Sequence, residues 1–482
     1  MRMNVRRAFS AVQRAYAEFL GVPTLVIVAF LLLAVGTYYL DWRNMERLAT
    51  VATFLQAHIF SNVEATAQLL RTIAGGLMTV TSVTISILLL ALQESAGAMT
   101  TSVFDQFLRR RHNQFYFGFF VGLTLYALIT LATVNEPFNP VIGGATTLVL
   151  TIVALFLLIV LLYTTVNQIR PTQIIDTIHH HTLAARRRQL DLLARTRREP
   201  SYPGVHARSF QAENRGMVTD IGLDGIGAAI KSAGVPLEVV VHAPVGAYVA
   251  YRDPIATVYA TTPDAAESVI QALEEAVVVG PQRDITTDPE YGIQQLTNIA
   301  WSSISSAKSD ISPGLLTIFS LRDILARWAE EAEEMEGNRN EEEVLPVVYP
   351  DNAFRQLFDA LEALAVVSSE SMQFQAFTQV VRTLAHMFDR LSEDQQRYSE
   401  RVILRLLSAL GDHVLTVQLD QALAELADTL HAADRDETAD AVEQARAELA
   451  RTIGTLSSRT ARVPLRFRPG RADRDDGVTP AR

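Results

Sequence analysis

Four stretches of the 482-residue chain, 21–40, 73–92, 115–134 and 141–166, contain no Asp, Glu, Lys or Arg. At a helical rise of about 1.5 Å per residue, each covers roughly 30 Å or more, the thickness of a bilayer hydrocarbon core. Backbone groups in lipid need partners within their own segment, and these runs are continuous apolar blocks without the alternation of a spanning strand. They predict helices. Buried helices of a soluble enzyme are the competing explanation, but these runs are too long and too uncharged for it. The sequence therefore reads as an α-helical membrane protein with four transmembrane helices, followed by a cytosolic mixed α/β domain and an α-helical C-terminal region.

Orientation follows from the arginines, because short cytoplasmic segments carry the Lys/Arg excess. Arg2, Arg6, Arg7 and Arg14 precede the first run. Arg109, Arg110 and Arg111 lie between the second and third, as a basic membrane-interface segment. Arg170, Arg186, Arg187, Arg188, Arg195, Arg197 and Arg198 follow the fourth. The segment between runs one and two balances Arg43, Arg47 and Arg71 with Asp41, Glu46 and Glu64, and the 135–140 turn has only Glu136. A multi-pass protein of the plasma membrane with both termini cytoplasmic is the expected arrangement. The first run exceeds the apolar region of a secretory signal, and 37–42 offers no small-residue cleavage site, so it is expected to be retained.

Composition and patterning divide the chain as follows. A basic cytosolic N-terminus (1–20) leads into the four-helix transmembrane domain (21–166), then a juxtamembrane helix and linker (167–204). A cytosolic α/β domain (205–336), an acidic linker (337–350), a helical region (351–456) and a disordered basic tail (457–482) follow. Linker 200–204 is marked by Pro200, Pro203 and Gly204, and the tail by seven Arg and three Pro. Within the α/β region, 237–242 is strand-rich, 247–251 and 255–259 are expected to pair around Arg252-Asp253-Pro254, and 264–277 is an amphipathic helix. The spacing from Gly246 to Ala256 looks like half of a lipoyl-carrier sandwich, without the Met-Lys-Met acceptor. Helices are expected over about 289–305 and 313–336. Near the membrane, Leu48, Val51, Leu55, Ile59 and Val63 mark an interfacial helix or a helical lead into run two, and Phe104, Phe107 and Leu108 mark another.

The chain has no cysteine, which removes disulfides and thiolate chemistry. Its net charge is −11, with basic residues beside the membrane and acid further along. That distribution suits anionic lipid headgroups and argues against a nucleic-acid surface. Run two is distinctive in carrying Thr79, Thr81, Ser82, Thr84 and Ser86 within eight residues. Hydroxyls in lipid either pack helices together or line a polar path in a homo-oligomer. No charge lies inside any run, so proton-relay and voltage-sensing parts are missing.

The hydroxyl-rich run, Phe107 to Arg111 with Asn113-Gln114 and Gly118, and two later blocks together carry a resemblance. The second block is Gly216-Met217-Val218, Asp220-Ile221, Val245 to Val249 and Asp253 to Ala256. The third is Arg283, Asp288-Pro289, Tyr291-Gly292-Ile293, Gln295-Leu296 and Ala300. As an ordered set over about residues 20–330, they resemble a family of predicted bacterial membrane proteins catalogued only as a domain of unknown function, number two thousand two hundred fifty-four in its series. Where that family runs Ser-Pro-x-x-Asn-Asp-Pro, this chain has 305–311 with Asp310 but neither proline. The resemblance implies membrane localisation and brings no activity.

Candidate chemistry is sparse. Arg283, Asp288 and Tyr291, with Asp284 and Glu290, are ligand-pocket candidates at a helix start; alternatively Asp288 caps that helix with Pro289 in its first position. Asp176, His179 and His180 share a helical face with His181 beside them, either an exposed polar collar or, less simply, metal ligands. No cofactor, catalytic residue or metal site is assigned. No P-loop, dinucleotide fingerprint, nucleophile elbow or zincin motif is present. Two functions remain. One is an oligomeric conduit regulated by its cytosolic domain; the other is a membrane-anchored sensor or adaptor that binds a cytosolic protein partner.

Overall fold

The computed structural model describes residues 20–43, 49–98, 111–168, 170–201, 206–306, 310–337, 343–410 and 414–452. Arg109, Arg110, Phe104 to Leu108, the N-terminal arginines and the 457–482 tail lie outside the described residues, as does the side chain of Arg111. The chain divides into two compact units, 1–174 and 175–482.

In the first unit, α1 (Gly21–Arg43), α3 (Val63–Ala98), α4 (Arg111–Thr133) and α5 (Val141–Gln168) contain the four uncharged runs, and all four are long and apolar enough to cross a membrane. Between the first two lies α2 (Ala49–His58). Of the two alternatives for this stretch, an interfacial helix or a helical lead into run two, the unbroken lead is interrupted at 59–62, which leaves α2 a separate helix. There Phe60 is fully buried and Asn62 Oδ1 accepts from the Ala65 N–H, a side-chain cap that starts α3 as a separate helix.

Among the spans α4 is the hub. Half of its apolar window is buried, against about a fifth for each of the others. Its closest neighbour is α1, and glycines make that approach possible. A Cβ on Gly118 would lie 2.8 Å from Pro23 Cα, and one on Gly122 would run into the Phe30 ring. Gly118 and Gly122 form a GxxxG pair, which lets two membrane helices approach closely. Around this seam Phe30, Phe119, Phe120, Leu123, Tyr126 and Leu161 form a buried hydrophobic core. Leu25, Leu32, Val35, Ile152, Phe156 and Ile159 point outward, as lipid-facing residues do.

The second unit begins along α6 (Pro171–Ala194), followed by β1 (His206–Gln211), β2 (Gly216–Ile221), α7 (Leu223–Ala233), β3 (Leu237–Val241), β4 (Tyr248–Val249), β5 (Pro254–Ala260), α8 (Pro263–Ala276) and β6 (Val277–Gly280). After these come α9 (Pro289–Ile304), α10 (Ser312–Gly337), β7 (Val347–Val348), α11 (Ala353–Glu370), α12 (Phe374–Met387), α13 (Glu393–Ala409), α14 (Val417–Ala432) and α15 (Asp436–Thr452). A four-stranded sheet in the order β1-β5-β3-β7 is antiparallel except for β3 and β7, and a second sheet has the order β4-β2-β6. Val218, Val239, Val258, Ile226 and Val269 fill the space between the sheets and their helices.

Two local expectations are revised here. Strands β4 and β5 do not pair with each other. Strand β4 pairs with β2, while β5 lies between β1 and β3. The intervening turn explains the separation. Arg252 adopts φ +69°, Ala250 N–H donates to the Asp253 carboxylate, and Ala212 exchanges backbone hydrogen bonds with Arg252 and Asp253, pinning the turn to the end of β1. The same turn separates the two halves of the segment whose spacing looks like a lipoyl carrier. Val347 and Val348, inside the stretch expected to be an acidic linker, form strand β7 against Val239 and Val240. Two adjacent valines after an acidic run are too short to show period-two patterning, so the sequence carries little sign of that strand.

Candidate functional site

On α3 the hydroxyl cluster faces two ways. Thr81 and Thr84 turn inward to a cleft lined also by Ile85, Tyr116, Phe117, Phe120 and Leu161, with room for about one water molecule. Thr79, Ser82 and Ser86 turn outward, on the same face as Gln68, Thr72 and Gly75. Spacings of three and four residues stack these six into one stripe along the helix. A Cβ on Gly75 would meet nothing within 4 Å. The hydroxyls of Thr79, Thr81 and Ser86 donate to the carbonyls of Gly75, Leu77 and Ser82, at 3.0, 2.7 and 2.9 Å. Each oxygen keeps acceptor capacity for a partner beyond its own helix.

At one end of the same bundle, Asp41 at the end of α1 receives the Ile142 and Gly143 N–H groups at 2.8 and 2.9 Å. These are orphan donors of the first turn of α5, where a carboxylate also suits the helix dipole. Beside it the Tyr126 hydroxyl donates to Thr37 Oγ1 at 3.1 Å. Asp41 was legible only as a charge flanking the first run, yet it ties the first and fourth spans together.

The second unit contains a charged cluster at the start of α9. Asp288 caps α9 by accepting from Tyr291 N–H at 3.0 Å, with Pro289 in the first position. The same carboxylate takes a bidentate pair from Arg283, Nε to Oδ2 at 2.6 Å and Nη2 to Oδ1 at 3.0 Å. Arg283 also donates to Gln294 and lies over the Tyr291 ring, 5.2 Å from its centre. Thus Arg283, Asp288 and Tyr291 do come together. Gly246, at φ +90°, passes so close that a Cβ there would collide with the Asp288 carboxylate and Arg283. Only glycine tolerates both that conformation and that approach.

A second charge pair completes the cluster. Arg186 is 1% exposed and donates to both oxygens of Asp351 at 2.8 Å and to Gln189 at 2.6 Å. Its guanidinium lies over the rings of Trp328 and Phe354, 5.1 and 5.6 Å from their centres. Burial would raise the Asp351 carboxyl, but the hydrogen bonds and charge of Arg186 outweigh it and hold the group below its ordinary value. Glu290 behaves oppositely. Burial and then the negative charge of Asp288 push its carboxyl up to about 7, with Asp351 adding to the rise and Arg283 and Arg186 opposing it. Tyr349, also raised by burial, accepts the Val245 N–H beside Gly246. Two guanidinium groups therefore serve three carboxyls, and Glu290 is the one left near neutrality.

Sequence reasoning found Arg283, Asp288, Glu290 and Tyr291 through their proximity to a helix start. It missed Arg186 and Asp351. Arg186 looked like one of three adjacent surface arginines, but Thr182, Arg186, Gln189 and Leu193 recur at four, three and four residues, and all four are buried. That periodicity was the available signal.

The histidine run is split. His179 turns toward α10, with Nδ1 2.8 Å from Ser320 Oγ and Nε2 3.1 Å from Asp323. Burial lowers its pKa, against the pull of Asp323. His180 stays exposed beside Asp176 at 3.5 Å. The shared-face arrangement of Asp176, His179 and His180 thus divides between a helix contact and a solvated pair.

The second and third blocks of the family resemblance meet at the Arg283 and Asp288 cluster. Gly246 N–H donates to Val218 O, Val218 N–H to Ala247 O, and the Thr287 hydroxyl to Thr219 O. Gly292 packs directly against Thr182. A family model described as "Predicted membrane protein (DUF2254)" matches residues 17–388. No curated protein and no solved structure matches the chain.

Proposed function

We propose that this chain, which belongs to the DUF2254 family of predicted membrane proteins, acts as an oligomeric conduit or transport-related protein of the bacterial plasma membrane, regulated by its cytosolic part. One observation carries the reading: the outward stripe of Gln68, Thr72, Gly75, Thr79, Ser82 and Ser86 on a helix long and apolar enough to cross a membrane. Left against lipid, such a face forgoes partners for its polar atoms. Among the described residues, apolar side chains pack the core around Phe30, Leu123 and Tyr126 within a single copy. A path for a polar solute therefore runs between copies, lined by α3. Orientation rests on the arginine count, which puts both termini in the cytoplasm and anionic headgroups beside Arg109 to Arg111. Reporters fused after Arg198 test this. Cytoplasmic activity supports the orientation, and external activity overturns it.

The sensor or adaptor reading draws on a different observation. The hydroxyls of Thr79 and Ser86 already donate to their own helix, so α3 could serve as a packing face while the second unit binds a cytosolic protein. Solute flux into liposomes separates the two. The conduit reading expects flux that falls when Thr79, Ser82 and Ser86 are all changed to Leu, with the oligomer preserved. Absence of flux from correctly assembled protein refutes the conduit.

A further inference from the structure

At one end of the second unit, three large apolar side chains stand in solvent: Trp301 near the end of α9, and Leu316 and Phe319 near the start of α10, at 44, 37 and 39% exposure. The level of this end within the unit is fixed by contacts to α6. Helix α10 runs parallel to α6, since His179 meets Ser320 and Asp323, Arg186 meets Trp328, and Arg187 meets Glu331. Helix α9 runs the other way, with Gly292 against Thr182 and Ile304 against Gly314 of α10. Carried back along these registers, Trp301, Leu316 and Phe319 lie level with the first turns of α6. The spanning helix α5 ends at Gln168, two residues before α6 begins.

We propose that this tip of the α9 and α10 hairpin is seated in the headgroup layer of the bilayer, with the lipid surface as its partner. The proposal rests on α5 being a transmembrane helix and is independent of any conduit. Eight residues lie between Val166, the end of the last uncharged run, and Ile175, so the start of α6 in this unit is within roughly 30 Å of the interface. The exposed face of α10 changes along its length in the sense a membrane surface requires. It is apolar at Leu316 and Phe319, nearest the tether, and charged at Asp323, Arg327 and Glu330 further away. Trp favours the interfacial depth, where its ring meets apolar chain and its N–H stays wet. Arg322 lies over the Phe319 ring, its guanidinium 5.7 Å from the ring centre, an arrangement that presents a cation beside an apolar anchor. The exposed carboxylates of Asp176 and Asp310 lie at the same level and offset that cation, so the partner is the polar-apolar boundary of a bilayer and not a headgroup of one charge.

The chain has no cysteine, so single substitutions can be labelled cleanly. Nitroxides at Leu316→Cys, Phe319→Cys and, as a control on a distant exposed helix, Val417→Cys are placed in the full chain reconstituted into vesicles containing phosphatidylglycerol. Collisions with oxygen and with a water-soluble nickel chelate report depth. The proposal expects the oxygen-to-nickel ratio at 316 and 319 to exceed that at 417 several-fold. A ratio equal to that at 417 places the tip in water and overturns the proposal. Low collision with both reagents means protein covers the tip, and that also overturns it. Should either variant fail to fold, Trp301 itself reports. In a Trp42→Phe background, the part of the emission that disappears on further Trp301→Phe substitution belongs to Trp301; it is expected to be quenched by lipids brominated near the headgroup, and an unquenched Trp301 component refutes the placement.

Discussion

Replacing Glu290 with Gln should remove the pH dependence that this residue gives the second unit. The carboxyl titrates at about 7 in the folded protein against an ordinary value of 4.5. Between those values the folded chain holds a proton that the unfolded chain has released. Stability from this group is therefore intact below about pH 4.5, is lost as pH rises through 7, and is constant above. The interval corresponds to roughly 3 kcal/mol, an upper figure because relaxation and water penetration soften a buried charge. Gln is neutral throughout and keeps the shape. The variant should match the wild type near pH 5 and exceed it near pH 8 by roughly 1 to 3 kcal/mol. Urea unfolding in detergent, followed by the fluorescence of buried Trp328 in a Trp42→Phe, Trp301→Phe background, measures the difference. Charges elsewhere cancel between the two proteins. If both proteins track each other from pH 5 to 8, the Glu290 environment described above is wrong.

The remaining substitutions probe the neighbouring contacts and the membrane core. Arg186→Leu should cost about 3 to 5 kcal/mol by leaving Asp351 buried and unpaired, and Asp351→Asn in the same chain should recover part of that loss; the same urea titration reads both. Asp288→Asn keeps an oxygen for the Tyr291 N–H and should lose less stability than Asp288→Ala, which also forfeits a cap worth about 0.5 to 2 kcal/mol. Both should lower the pH at which Glu290 titrates, because Asp288 is one of the charges holding it up. Gly122→Leu drives a side chain into Phe30 and should lower the thermal stability of the membrane unit in detergent, whereas Gly76→Leu, with nothing within 4 Å, should not.

Much of the membrane unit was legible because its physics is one-dimensional. Twenty uncharged residues need lipid and a helix, whatever their neighbours. The GxxxG seam of Gly118 and Gly122 was equally visible in the letters but gains meaning only opposite Pro23 and Phe30, which are nearly a hundred residues away. The five hydroxyls of α3 were found together and proved to face two ways, a distinction made by 100° per residue and by which side α4 occupies. In the second unit, the Asp288 cap was readable because its signal is local: Asp, then Pro, at a helix start. Arg186 and Asp351 were not. Their pairing joins α6 to the loop before α11 across 165 residues, and each residue alone has the look of a surface charge. Strand β7 hid for the same reason, being two valines whose pairing with β3 is set wholly by tertiary structure.

The central claim is that the stripe at Thr79, Ser82 and Ser86 faces another copy of the chain. Spin labels at Thr79→Cys and, on the lipid-facing side of α5, at Phe156→Cys, measured by pulsed dipolar spectroscopy in nanodiscs assembled around the intact oligomer, test it directly. A short, well-defined distance between copies at 79, with a longer or broader one at 156, is the predicted result. No dipolar coupling at 79, or a shorter distance at 156 than at 79, would contradict the account.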